Sequence, residues 1–296
     1  MDVGRYFWLF MLLGIALGLF LPGPGTLIKP FVLPLLAALM LISSLSINVG
    51  ELKRCAKDWR TTLFVLFVQF VLVGATAYLF SGFFPSDVFL GLVIIAVTPS
   101  AISVTFLSEL FGGSAALALP LTTLSNLLSV AVTPLLVAVF AGASVSVNSW
   151  SIAQTIALAV VLPFLIAKLV VVRLPAIEKP LLKHGHGINT IIITLAIWGG
   201  IAPSSAFLFA NSGMVLWLAI PALMFCAVPF AIGWLYGKDR EESITLGVTS
   251  SLKNVALGVT LASTFGIAVV AGPVVYTVLS NALLAILQLV LRKGNK

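Results

Sequence analysis

Two long stretches of this chain carry no formal charge, and they govern what it can fold into. Residues 110–167 and 184–237 contain no Asp, Glu, Lys or Arg. Each stretch is long enough for two helices crossing a hydrocarbon core of about 30 Å, at a rise of about 1.5 Å per residue. Charged residues make up 8% of the chain, against about 25% in soluble domains. Inner Gly and Pro without strand-like alternation argue against a membrane barrel. The expected fold class is an all-α integral membrane protein.

Apolar segments bounded by turn residues or charges fall at about 5–22, 30–49, 61–84, 88–111, 114–141, 149–172, 187–209, 213–236, 243–264 and 267–291, which predicts ten spans. Charge placement tests that count. With the N-terminus inside, the inner loops are 50–60, 112–113, 173–186 and 237–242, followed by the tail. Of the 16 Lys and Arg, all but Lys29 and Lys253 then lie on the inner side. This asymmetry supports an even number of spans with both termini cytoplasmic, in the plasma (inner) membrane. It also accounts for the net charge of +7 without nucleic acid as a partner. The opening "MDVGRYFWLFMLLGIALGLFLPGPG" lacks a cationic cluster and a small-x-small cleavage site, and reads as the first span. Cys55 and Cys226 lie far apart in sequence with no metal or redox spacing. They read as a loop thiol and a small buried apolar residue.

Two formally charged residues fall inside spans, Glu109 and Lys253. Glu109 is one turn before the Gly-Gly that ends the fourth span, within reach of the interface. Lys253 is about ten residues into the ninth span, or about 15 Å, which is mid-bilayer. An ionisable group at that depth marks a functional site by default. The same two spans carry interior polar interruptions. The fourth has Thr98, Pro99, Ser100, Ser103, Thr105 and Ser108; the ninth has Thr249, Ser250, Ser251, Lys253 and Asn254. Pro99 removes a backbone donor and disfavours helix at Thr98, and such backbone survives at membrane depth only around a cavity or inside protein. Each interrupted span is fourth of five, and an odd number of spans per half gives the halves opposite orientation. That predicts two inverted repeats, 1–142 and 143–296, whose broken helices cross at the midplane around the substrate.

The residues also carry a resemblance. "VQFVLVGATAYLF" (68–80), with Gln69 and Phe70, "PSAISVTFLSELFGGSAALALPLTT" (99–123) and "TSSLKN" (249–254) are similar in layout to the third span and two crossovers of the bile acid:sodium symporter family. The likeness covers essentially the whole chain. It implies a panel bundle of spans one, two, six and seven rocking against a core bundle that holds the crossovers. The family pattern for the first crossover is Pro-Gly-Gly-x-x-Ser-Asn and for the second Glu-x-Gly-x-Gln-Asn. Here the positions matching one sodium site are Val104, Thr105, Ala118, Thr122 and Thr249. At the other, Gln69 remains, Thr249 stands for the Glu and Lys253 for the Gln, while Asn254 keeps the Asn.

The loss of the carboxylate coincides with the gain of a fixed cation. The expectation is that the Lys253 ammonium takes a sodium ion's place, its three donors meeting the Gln69 oxygen and carbonyls freed by the helix break, with Thr249 and Ser251 in the same site. Transport is then sodium-independent, or proton-coupled if Lys253 exchanges a proton, with Glu109 as a possible relay. The electropositive crossing favours a small monovalent organic anion, which the resemblance narrows to amphipathic carboxylates. Ser103, Thr105, Thr122 and Asn254 are the candidate substrate ligands, around the crossover residues Pro99 and Ser100, with apolar walls from spans one, two and six. No cofactor or resident metal is expected; sodium or a proton is the candidate coupling ion, and the lipid bilayer is the partner.

Other classes fit less well. A channel calls for a filter or charged ring, which the sequence lacks. An enzyme calls for a catalytic set, yet the spans hold no carboxylate pair, and His184 and His186 read as solvated loop residues. A sodium symporter with a modified ion site is the serious alternative.

Overall fold

The computed structural model describes residues 7–47, 50, 52–142 and 148–292. Among these, regular structure is helical, apart from an isolated bridge. In chain order the main helices are α1 (Phe7–Phe20), α2 (Pro22–Leu45), α3 (Leu52–Lys57), α4 (Trp59–Tyr78), α5 (Ser86–Ala96), α6 (Val104–Leu110) and α7 (Ala115–Ala141). Then follow α8 (Ser149–Arg173), α9 (Pro175–Ile201), α10 (Ser205–Ala210), α11 (Ser212–Tyr236), α12 (Arg240–Ser251), α13 (Val255–Phe265) and α14 (Ala271–Arg292).

Local chemistry sets these boundaries. Pro22 and Pro175 open α2 and α9 at first-turn positions, where the missing N–H has no intrahelical role. Asn148 accepts from the Ser151 N–H at 3.2 Å, and Asp239 from the Glu242 N–H at 2.8 Å, capping α8 and α12. Gly112, at φ 89°, makes the reversal between α6 and α7, a left-handed conformation that favours glycine. Gly91 lets α5 rest on the segment entering α14, because a Cβ there would overlap the Val269 carbonyl.

Among the described residues, six helical segments are long and apolar enough to cross a membrane: Pro22–Leu45, Trp59–Tyr78, Ala115–Ala141, Ser149–Arg173, Gly187–Ala210 and Ser212–Tyr236. Four further apolar helices are shorter, at Leu9–Phe20, Ser86–Ala96, Val255–Phe265 and Ala271–Leu287. The middle two of these are parts of the interrupted fourth and ninth segments, so the break itself shortens them. Large apolar side chains such as Phe83, Leu216, Trp217 and Leu235 are exposed, while Ser, Thr and Asn crowd the interior. That polarity suits a surface solvated by lipid.

One segment departs from the expected layout. Residues 175–186, read as loop, continue α9 without a break. Lys179, Lys183 and His184 sit on exposed faces, so their charge and polarity are no obstacle to the helix. Gly185 gives α9 its close approach to Ile42 of α2. The His186 side chain lies outside the described residues.

The helices pack in two groups. α2 and α9 form one pair, with α1 laid on α9 and α8 on α2. In the other, α11 packs on α12 and α14, α14 on α5, and α7 on α6 and α12. Where the groups face one another they enclose a cavity of about 310 Å3.

Candidate functional site

The two interruptions meet. Between α5 and α6, and between α12 and α13, the chain turns extended for a few residues, and the two stretches run antiparallel at Ser100 and Lys253. The Ala101 N–H donates to the Leu252 carbonyl at 2.9 Å, and the Asn254 N–H to the Pro99 carbonyl at 2.7 Å. Groups that each helix break would leave unpaired thus satisfy one another. The Ser100 hydroxyl adds a bond to the Thr249 carbonyl at 2.6 Å.

Two neighbouring helices prop this crossing. In α7, Ser125 Oγ accepts from the Ser100 N–H at 3.0 Å and from the Gln69 side-chain amide. Asn126 Nδ2 donates to the Ser100 carbonyl at 3.0 Å, and its Oδ1 accepts from Asn254 Nδ2 at 3.2 Å. Asn254 Oδ1 in turn caps α13 through the Leu257 N–H at 3.1 Å. In α14, the Tyr276 hydroxyl accepts from the Lys253 N–H at 3.0 Å and donates to the Ser251 carbonyl at 2.6 Å. Sequence reasoning passed over Ser125, Asn126 and Tyr276. The "LSN" at 124–126 inside an apolar helix was a usable signal; Tyr276 had none beyond the need of a buried hydroxyl for a partner.

Lys253 is buried, with 2% of its surface exposed. Its Nζ donates to the main-chain carbonyl of Gln69 and, at 3.4 Å, to that of Thr98. The Thr98 carbonyl is one of those expected at the helix break, whereas Gln69 accepts through its main chain and not its side chain. Phe67–Leu72 is a π-helical turn within α4, whose wider winding loosens the usual backbone pairing and presents a main-chain oxygen. The Gln69 amide faces Ser125, and its Oε1 has no hydrogen-bond partner. Among the described residues no carboxylate pairs with Lys253; the ion pair found is Lys238–Glu242, at 3.8 Å.

The remaining candidates divide. Ser103, Thr105, Glu109, Thr122, Lys253 and Asn254 all line the cavity. Thr105 Oγ1 and Thr122 Oγ1 are buried without a hydrogen-bond partner. Thr249 and Ser251 do not line it: their hydroxyls turn back onto the Thr245 and Val248 carbonyls, at 2.7 and 3.4 Å. Their contribution to the crossing is through their carbonyls. Val104 and Ala118 are fully buried and apolar. Glu109 is exposed in the last turn of α6. Apolar walls from α1, α2 and α8 are present as expected, in Met11, Leu39, Met40, Val160 and Phe164.

A buried lysine thus sits on backbone carbonyls at crossed helix breaks, beside a cavity. The model of the SBF-like CPA transporter family matches residues 5–291. The chain belongs to this family. YocS of Bacillus subtilis, described as an uncharacterized sodium-dependent transporter, is 23% identical over 267 residues, 88% of this chain and 82% of YocS. BASS4 of Oryza sativa subsp. japonica, a probable chloroplastic sodium/metabolite cotransporter, is 31% identical over 169 residues, 53% of this chain and 39% of BASS4. YbaS of Bacillus subtilis is 26% identical over 268 residues, 82% of each chain. Family membership, apolar helices and the lipid-suited surface together make this a multi-pass membrane transporter.

Proposed function

We propose that this transporter moves small organic anions by alternating access, without dissolved sodium, the Lys253 ammonium standing where a sodium ion would sit. The observation that carries this reading is Lys253 Nζ seated on the Gln69 and Thr98 carbonyls at the crossing. A cation tethered there does what a bound ion would do, holding two broken helices together. The anion would lie in the cavity near Ser103, Thr105, Thr122 and Asn254. Asn254, Val255 and Ala256 line that wall as the cap and first residues of α13, where backbone N–H groups and the helix dipole favour negative charge.

On this reading the six long helices and the shorter ones count as ten spans, in inverted repeats 1–142 and 143–296. The panel comprises α1, α2, α8 and α9, and rocks against the core formed by the other long elements. The membrane is the plasma (inner) membrane, with both termini cytoplasmic. Glu109 and Lys253 line one cavity, which keeps proton coupling within this scheme.

A second reading, sodium symport, has a specific observation in its favour. Thr105 Oγ1 and Thr122 Oγ1 are buried, unpartnered oxygens of the sort a cation would recruit. Against it, Val104 and Ala118 offer that site no side-chain oxygen, and the Thr249 hydroxyl is bonded to its own helix.

Thermal unfolding of the purified protein in sodium chloride, against choline chloride at equal ionic strength, separates the two. A ligand that binds only the folded state adds about 2.7 kcal/mol at a hundred times its dissociation constant. The expected result is equal stability in both salts. A saturable, sodium-specific rise would establish a sodium site and overturn the tethered-cation reading.

A further inference from the structure

Apart from the crossing residues, the cavity lining has a polar set from α2 and α9 that apolar walls did not lead one to expect. Ser43 and Ser44 at the end of α2, and Asn189 and Thr190 in α9, all line it. Asn189 Nδ2 donates to Ser43 Oγ at 2.9 Å, tying α9 to α2. Joining two membrane helices requires no more than that bond. Yet Asn189 Oδ1 and Ser44 Oγ are also buried here, and neither has a hydrogen-bond partner. Native interiors rarely leave such atoms unmet, and those they do leave call for an explanation such as a missing ligand.

The patch is electrically neutral. The charged residues lining the cavity are Glu109 and Lys253, both from the crossover segments. Lys168 donates to the Leu45 and Ile47 carbonyls at the end of α2, and Lys183, earlier on α9, is exposed and does not line the cavity. Much of the rest of the lining is apolar, including Met11, Met40, Phe106 and Ile193. The lining therefore holds two polar sets of residues, one with Lys253 and one without charge, among apolar side chains.

We infer that Ser43, Ser44, Asn189 and Thr190 form a second subsite, which takes a neutral hydrogen-bonding group at the far end of the transported anion. This rests on the organic-anion reading above and sharpens it. The substrate class becomes a monocarboxylate with an apolar middle and a terminal hydroxyl or amide. A second carboxylate is disfavoured, since Lys253 is the cation among the described lining residues and Glu109 shares the cavity.

The test is binding of three matched probes to the purified full chain: hexanoate, ω-hydroxyhexanoate and adipate. The expected result is that ω-hydroxyhexanoate binds about tenfold more tightly than hexanoate, the scale of one hydrogen bond to an otherwise unmet buried group, and that adipate binds weakest. Ser44→Ala and Asn189→Leu should each bring the affinity for ω-hydroxyhexanoate down to that for hexanoate. Asn189→Leu also breaks the bond to Ser43; should it fail to fold, Ser44→Ala carries the test, because Ser44 Oγ has no partner to lose. Equal affinities for hexanoate and its hydroxylated analogue would overturn the subsite and leave the anion reading standing. Tightest binding by adipate would overturn the neutral assignment. Binding by none of the three would overturn the anion reading and the subsite together.

Discussion

At the scale of single residues, Lys253 concentrates the argument. A lysine at this depth is conspicuous in the sequence, and so is a carbonyl freed by the helix break as its acceptor, as at Thr98; that Gln69 accepts through its main chain is not, because π-winding is a response to packing. Shortening the side chain strips two buried carbonyls of their donor, at about 1–3 kcal/mol for each group orphaned. Lys253→Gln should therefore lower thermal stability and transport, and sodium chloride should restore part of the stability. Unchanged transport in Lys253→Ala would remove the residue from the mechanism. Glu109 is tested separately. If it relays protons, Glu109→Gln should flatten the dependence of uptake on pH, whereas a preserved profile would take it out of the mechanism.

At the scale of elements, the two broken helices hold because five chain segments, the two breaks with α4, α7 and α14, share one hydrogen-bond network. The interruptions were legible from Pro99 and the polar run at 249–254, since both oppose continuous helix. What completes them was not. Ser125, Asn126 and Tyr276 come from α7 and α14, and their role depends on which face of each helix meets the crossing. Tyr276→Phe keeps the ring but leaves the Lys253 N–H and Ser251 carbonyl unpaired, again about 1–3 kcal/mol per group. The expected outcome is a lower midpoint of unfolding with near-normal yield, and faster amide exchange at 251–254. Unaltered exchange there would show that the crossing does not depend on the hydroxyl.

At the scale of the whole molecule, the proposed topology makes a prediction that needs no substrate. In right-side-out vesicles, a cysteine placed at Lys29 should react with a membrane-impermeant maleimide from outside, and one at Lys53 only after permeabilisation. The native thiols should interfere little. Cys55 and Cys226 are both buried, and burial pushes the Cys55 thiol above its ordinary range, so at neutral pH it stays protonated and slow to react. Labelling of Lys53→Cys from outside would reverse the orientation.

The membrane class, the interrupted spans and the buried cation followed from sequence alone, because a bilayer tolerates charge and broken backbone so poorly that each exception is visible in one dimension. The tertiary structure decided what the exceptions are for. It brought Ser100 against Lys253 across more than half the chain, turned the Gln69 carbonyl toward the ammonium, and put Asn189 and Ser44 in the lining of the same cavity as Lys253. Those pairings depend on helix rotation and crossing, which local patterning leaves undetermined because packed side chains from distant segments set them.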